Sequence, residues 1–201
     1  MKKIPLIALL ATALLSSCGG GGGESVTTPP NPQPSSVTVQ VNLGDAPADN
    51  LLAVGTTVNT LTLTNASGGS VALMATARPM EMMQLMGTVA PLAIAAVPQG
   101  TYRGATMTFG SATVTYVDAA TGQIVQRAAP GPMTASVTFS PALTIGAAPT
   151  VINFDMNMAA SVTIDANGNV AMTPTLTASM NPVVAGSRNP EDGGMHGLIN
   201  I

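Results

Sequence analysis

From Val37 onward apolar and polar side chains alternate with a period of two, the pattern of strands that bury one face. Val37, Val39, Val41 and Leu43 point one way, and Thr38, Gln40 and Asn42 point the other. The alternation recurs at Leu61 and Leu63 between Thr60, Thr62 and Thr64, and at Ala105, Met107 and Phe109 between Thr106 and Thr108. Gly110 interrupts that run, and Ala112, Val114 and Tyr116 resume it against Thr113 and Thr115. Met133, Ala135, Val137 and Phe139 follow, then Ile152, Phe154, Met156 and Met158 against Asn153, Asp155 and Asn157. Val162 and Ile164 lead into Asp165-Ala166-Asn167-Gly168-Asn169, an Asn-Gly hairpin signal from which Val170 and Met172 return. Leu176, Ala178 and Met180 close the series. Threonine and valine suit these positions because a β-branched side chain packs well on a pleated surface. No stretch is a convincing amphipathic helix, so the chain predicts an all-β fold, an antiparallel β-sandwich of about seven to nine strands.

The pattern differs before Val37. Lys2 and Lys3 form a positive start, and Ile4 to Leu15 form an apolar run too short to span a bilayer, which together read as a secretory signal. Its end, Leu15-Ser16-Ser17-Cys18, looks like a bacterial lipobox, in which the cysteine is diacylated before cleavage and becomes the mature N-terminus. The alternative is a stray cysteine in an ordinary signal peptide. Cys18 is, however, the only cysteine and directly follows the small residues. A thioether-linked diacylglycerol with a further amide-linked chain, of palmitate type, gives a stable anchor because each buried methylene contributes about 0.8 kcal/mol. Gly19 in place of an aspartate after the cysteine points to the outer membrane of a bacterial envelope, at its periplasmic face or at the cell surface. Five glycines and then a proline cluster reach to Ser36, a coil followed by a stiffer spacer that holds a domain away from the lipid.

The expected organisation is a signal peptide over residues 1–17, a tether over 18–36, a β-sandwich over 37–181 and a final stretch over 182–201. In that last stretch a polar linker leads to Met195-His196-Gly197-Leu198-Ile199-Asn200-Ile201, which reads as the beginning of a strand. A lone strand cannot bury its face, so it either adds to the sandwich edge or opens a second domain that is missing; the second is the expectation.

Charged residues are 7% of the chain and aromatic residues 2%. There is no basic face for nucleic acid and little for stacking sugars or bases. Glycine (21) and proline (16) lack a three-residue period, which excludes collagen and argues for many turns. Removing the signal removes both lysines and leaves four arginines against nine carboxylates, a net charge of −5. With Cys18 lipidated no thiol is left for a disulfide or a nucleophile.

Three segments resemble the bacterial domain of unknown function 4382 family: Gly44-Asp45-Ala46-Pro47 ending the first strand, Val97-Pro98-Gln99-Gly100-Thr101-Tyr102 opening a later one, and Asn153-Phe154-Asp155 before a hairpin and Pro174. The resemblance covers roughly Val37 to Met180 and implies a lipoprotein with an immunoglobulin-like or prealbumin-like sandwich. It implies no catalytic residue. The chain departs from the family pattern at Arg103-Gly104-Ala105, which is less aliphatic, and between Leu73 and Val97, which is unusually rich in methionine.

Chemistry-bearing residues are few. His196 is the single histidine and has no nucleophile setting around it, so a triad is not expected. Asp45 and Asp49 form the one formal acid–base pair, although an aspartate before Ala-Pro more simply caps or closes a turn. Asp165, Asn167 and Asn169 at alternate positions resemble the start of a calcium loop but lack the bidentate glutamate that would complete one; a hairpin is the simpler reading. Asn153, Asp155 and Asn157 make an outward polar row that would hydrogen-bond a glycan or partner strand, or simply face solvent. Met80, Met82, Met83 and Met86 offer soft thioethers for monovalent copper, or adaptable packing in a short helical or irregular crossover that caps the sandwich. No cofactor is expected. Two functions from different classes stand: a lipid-anchored, non-catalytic envelope module that is structural or binds a protein or glycan, and a metal-handling lipoprotein using the methionines for copper or the Asp165 loop for calcium.

Overall fold

The computed structural model describes residues 35–182. Cys18, the expected signal peptide, most of the expected tether and the last stretch with His196 lie outside the described residues. Thirteen strands run in the order β1 (Ser36–Ala46), β2 (Leu51–Asn65), β3 (Ser70–Ala72), β4 (Arg78–Glu81), β5 (Val89–Pro98), β6 (Gly100–Phe109), β7 (Ala112–Val117), β8 (Ile124–Ala129), β9 (Met133–Ile145), β10 (Thr150–Asn157), β11 (Val162–Ile164), β12 (Val170–Met172) and β13 (Leu176–Pro182). A 3-10 turn, Met82–Leu85, follows β4, and one turn of α-helix, α1 (Met158–Ser161), follows β10.

The fold is an all-β sandwich. One sheet has the order β13-β10-β1-β5. The other is built on the fifteen-residue β2. The first half of β2 pairs with β7 and its second half with β6 in nearly one continuous antiparallel register, so β6 and β7 act as a single strand interrupted at Gly110. The Gly110 amide still donates to Thr57 O at 2.9 Å, which keeps both halves on the same neighbour. In the same way β9 and β8 line the outside of β6 and β7, and β3 and β4 line the opposite edge of β2. The thirteen strands therefore make two sheets of four ribbons each, plus the small β11–β12 hairpin. The strand count exceeds the expected seven to nine because long ribbons are broken by bulges and turns.

Among the named strands one pairing is parallel: β1 runs alongside β10, with Val39 opposite Thr150 and Leu43 opposite Phe154. Between them the chain crosses to the second sheet and returns, so no hairpin dictates the direction of the return. The inward positions of both sheets meet in one core, with Val39, Val41, Leu43, Ile152, Phe154 and Met156 from the first and Val54, Leu61, Leu63, Met107, Phe109 and Val114 from the second. The methionine-rich segment comprises β4, the 3-10 turn and then strand, and the turn packs against β1 and β2. Glu81 caps this turn, its carboxylate accepting from Val54 N at 2.6 Å and Met83 N at 3.4 Å.

The Val97–Tyr102 segment carries the chain from the first sheet to the second. Tyr102 is buried and its hydroxyl donates to Pro98 O at 2.7 Å, four residues back across the crossing. This is the tyrosine corner seen in sandwich folds, and it satisfies a buried phenol and a carbonyl together. Burial pushes the Tyr102 pKa upward.

Candidate functional site

On the outer face of the first sheet, the expected row of Asn153, Asp155 and Asn157 does not act as one surface. Asn42 Nδ2 donates to Asn153 Oδ1 at 2.8 Å, and Gln40 Nε2 donates to Asn42 Oδ1 at 2.9 Å, so Asn153 ends a chain of amides running across β1 and β10. Asn157 caps α1, its Oδ1 accepting from Ala160 N at 2.9 Å. Asp155 alone of the three is exposed without a hydrogen bond from a described residue. The face is mostly uncharged amide and hydroxyl, and two of its three singled-out residues serve the scaffold.

Asp45 and Asp49 occupy different environments. Asp49 is exposed beyond the end of β1, whereas Asp45 continues the inward series of β1 and is 4% exposed. Asp45 closes no local turn; its Oδ1 accepts from Met158 N at 3.3 Å, at the start of a helical turn 113 residues away. Its Oδ2 is buried without a partner. Desolvation, reinforced by the nearby Asp155 charge and opposed by the Met158 amide, pushes the Asp45 pKa up to about 6.

The four methionines do not share one environment. Met82 and Met83 are buried in the core, Met80 packs against it half-buried, and Met86 is 43% exposed. Their placement is that of side chains closing one end of the sandwich. Among the described residues no group of three or more His, Cys, Asp or Glu side chains converges as a metal site.

The Asp165 loop is organised from within. Asp165 Oδ1 accepts from Asn167 N and Asn169 N, both at 2.8 Å, and Oδ2 accepts from Asn169 Nδ2 at 2.8 Å. These bonds hold its pKa below the ordinary aspartate value. Gly168 takes the left-handed conformation that the turn requires, at φ +75°. The Tyr116 hydroxyl donates to Gly168 O at 3.3 Å and ties the hairpin to β7.

A feature that the alternation alone did not reveal lies on the outer face of the second sheet. Thr60, Thr108 and Thr134 lie in one row across β2, β6 and β9; Thr62, Thr106 and Ser136 form the next; and Thr64, Gly104 and Thr138 form a third. The hydroxyls touch laterally, Thr60 to Thr108 at 2.6 Å and Thr106 to Ser136 at 3.1 Å. Gly104 leaves a gap in this lattice, a hollow of about 280 Å³ bordered by Thr64, Arg103, Thr106, Ser136 and Thr138. The outward threonines were legible as single positions, but their alignment depends on register across three strands. A larger groove of about 640 Å³ separates β9 from β13, where Val137, Phe139, Leu176 and Met180 line the open side of the sandwich.

No protein-family model matches the chain, and neither a curated protein nor a solved structure matches it.

Proposed function

We propose that this chain is a lipid-anchored lipoprotein of the bacterial envelope, carrying a non-catalytic β-sandwich that is structural or binds a protein or glycan partner. The observation that carries the reading is the order of the first residues: a positive start, a short apolar run, Leu15-Ser16-Ser17-Cys18 and a Gly/Pro tether leading into β1. Two acyl chains or more on Cys18 give durable membrane attachment, and the tether sets the sandwich off from the surface. The resemblance to the domain of unknown function 4382 family belongs to the same reading. Its three segments have scaffold roles here, at the end of β1, at the tyrosine corner and in β10 beside β1.

The structural work of three carboxylates also fits a non-catalytic module. Glu81 and Asp165 organise turns, and Asp118 does the same by accepting from Ala120 N, Thr121 N and the Thr121 hydroxyl. Hydrogen bonds from Thr121 hold the Asp118 pKa low. Carboxylates held by several donors are poor proton carriers near neutral pH.

Expression of the full chain in a bacterium fed labelled palmitate tests the anchor. The wild-type chain is expected to take up label and sediment with membranes, and Cys18→Ala to lose both properties. Label incorporation by Cys18→Ala, or an unlabelled wild-type chain, would sink the reading.

A further inference from the structure

The gap in the hydroxyl lattice of the second sheet has the makings of a ligand site. Gly104 stands opposite Thr64 on β2 and Thr138 on β9. A Cβ at Gly104 would lie 2.6 Å from Val137 O, so the hollow cannot be filled by a side chain of its own. The register of both neighbouring strands shifts beside this residue. Such bulges re-aim side chains, and Arg103 stands exposed at the rim.

The guanidiniums of Arg78 and Arg127 donate to backbone carbonyls, Arg78 to Pro91 O and Leu92 O and Arg127 to Gln126 O. Arg103 has no hydrogen-bond acceptor and no salt bridge among the described residues. An unengaged cation set beside four hydroxyls is complementary to one ligand chemistry. A guanidinium matches a carboxylate or phosphate through two parallel hydrogen bonds. Hydroxyls both donate and accept, which suits the alcohol groups of a sugar without an aromatic platform.

We propose that the hollow over Gly104 binds an acidic sugar, with its carboxylate or phosphate on Arg103 and its hydroxyls on Thr64, Thr106, Ser136 and Thr138. This rests on the reading of the sandwich as a binding module and names the ligand class. The sugar comes either from a uronate-containing polysaccharide or from the phosphorylated headgroup of a glycolipid.

Calorimetric titration of the detergent-solubilised, lipidated chain decides the matter, with digalacturonate, neutral digalactose and glucose 1-phosphate as probes. At least one acidic probe is expected to bind saturably and about tenfold more tightly than digalactose, a difference of about 1.4 kcal/mol. Tighter digalacturonate marks the polysaccharide source, and tighter glucose 1-phosphate marks the glycolipid. Arg103→Gln is expected to weaken the acidic probe about tenfold with no change in melting temperature, since Arg103 holds no described protein partner. Thr106→Val, which keeps the β-branched shape, is expected to weaken it further in the double variant. No saturable binding of either acid, or equal affinity in wild type and Arg103→Gln, overturns the site. Palmitate labelling of the same preparations is read in parallel: loss of acid binding with the anchor intact overturns this site alone, whereas loss of the anchor overturns the broader reading.

Discussion

Asp45 brings a carboxylate into the core that the alternation of β1 would otherwise fill with an aliphatic side chain. One oxygen holds the first amide of α1, and the other is buried without a donor. With the folded pKa raised from 3.8 to about 6, the native state keeps a proton that the unfolded chain has lost between those values. Stability contributed by this group is therefore greatest below pH 4, falls as pH rises through the window and is flat above it. At 1.36 kcal/mol per pKa unit the penalty near neutrality is about 3 kcal/mol. Asp45→Asn keeps an acceptor for Met158 N and removes the charge. It is expected to gain about 1–3 kcal/mol over wild type at pH 7 and little at pH 4, as read from denaturant midpoints; equal gains at both pH values would show that ionisation is not the cause. At Asp165 the carboxylate is committed to three donors of its own hairpin. Asp165→Ala is expected to lower the melting temperature by loosening the hairpin. Calcium at millimolar concentration is expected to leave the wild-type melting temperature unchanged, and a rise would support the calcium reading.

At the scale of elements, strands were legible wherever one face is buried and the other wet. The runs from Val37, Leu61, Ala105, Ala112, Met133, Ile152 and Leu176 all lie in strands, but Val137, Phe139, Ala178 and Met180 are only partly buried, and Met158, expected to continue β10, is buried at the start of α1 instead. Elements without that contrast were not. In β5, Val-Ala-Pro-Leu-Ala-Ile-Ala-Ala-Val-Pro is nearly all apolar yet lies at a sheet edge with Ile94 73% exposed. β8 is mostly exposed, and β3 and β4 are too short to show a period. The methionine-rich segment carries no clear period, and its strand and 3-10 turn are settled by packing on β1 and β2. The tyrosine corner joins two elements across the sheet-to-sheet passage. Tyr102→Phe keeps the ring and leaves Pro98 O unpaired, so it is expected to cost about 1–2 kcal/mol in chemical denaturation. A loss under about 0.3 kcal/mol would mean that the corner is already satisfied in another way.

For the whole molecule, the governing contact is the parallel pairing of β1 with β10, which joins Val39 to Thr150 and encloses the entire second sheet in one long loop. Removing β10 exposes the edge of β1 and opens the core at Leu43, Phe154 and Met156. A chain ended before Thr150 is therefore expected to lack a cooperative unfolding transition and to be cut rapidly by protease. A protease-resistant fragment spanning β2 to β9 would instead show that the second sheet folds alone. The same topology explains the candidate sites. Residues adjacent in sequence, such as Asn153, Asp155 and Asn157, are sent to different tasks, while Thr64, Gly104 and Thr138 are brought together from three ribbons.

Features that depend on neighbours a few residues apart are legible in the chain itself. The alternation sets which face of each strand is wet, the Asp165–Asn169 stretch forms its turn through bonds within five residues, and the lipobox-like cysteine defines the expectation of an anchor. The period of a strand specifies its faces but carries no record of its partner. The tertiary structure alone decided the parallel partner of β1, the burial of Asp45 against an amide 113 residues away and the unfilled place at Gly104. Those features arise from register between distant segments, which is chosen by the fit of two whole sheets around a shared core.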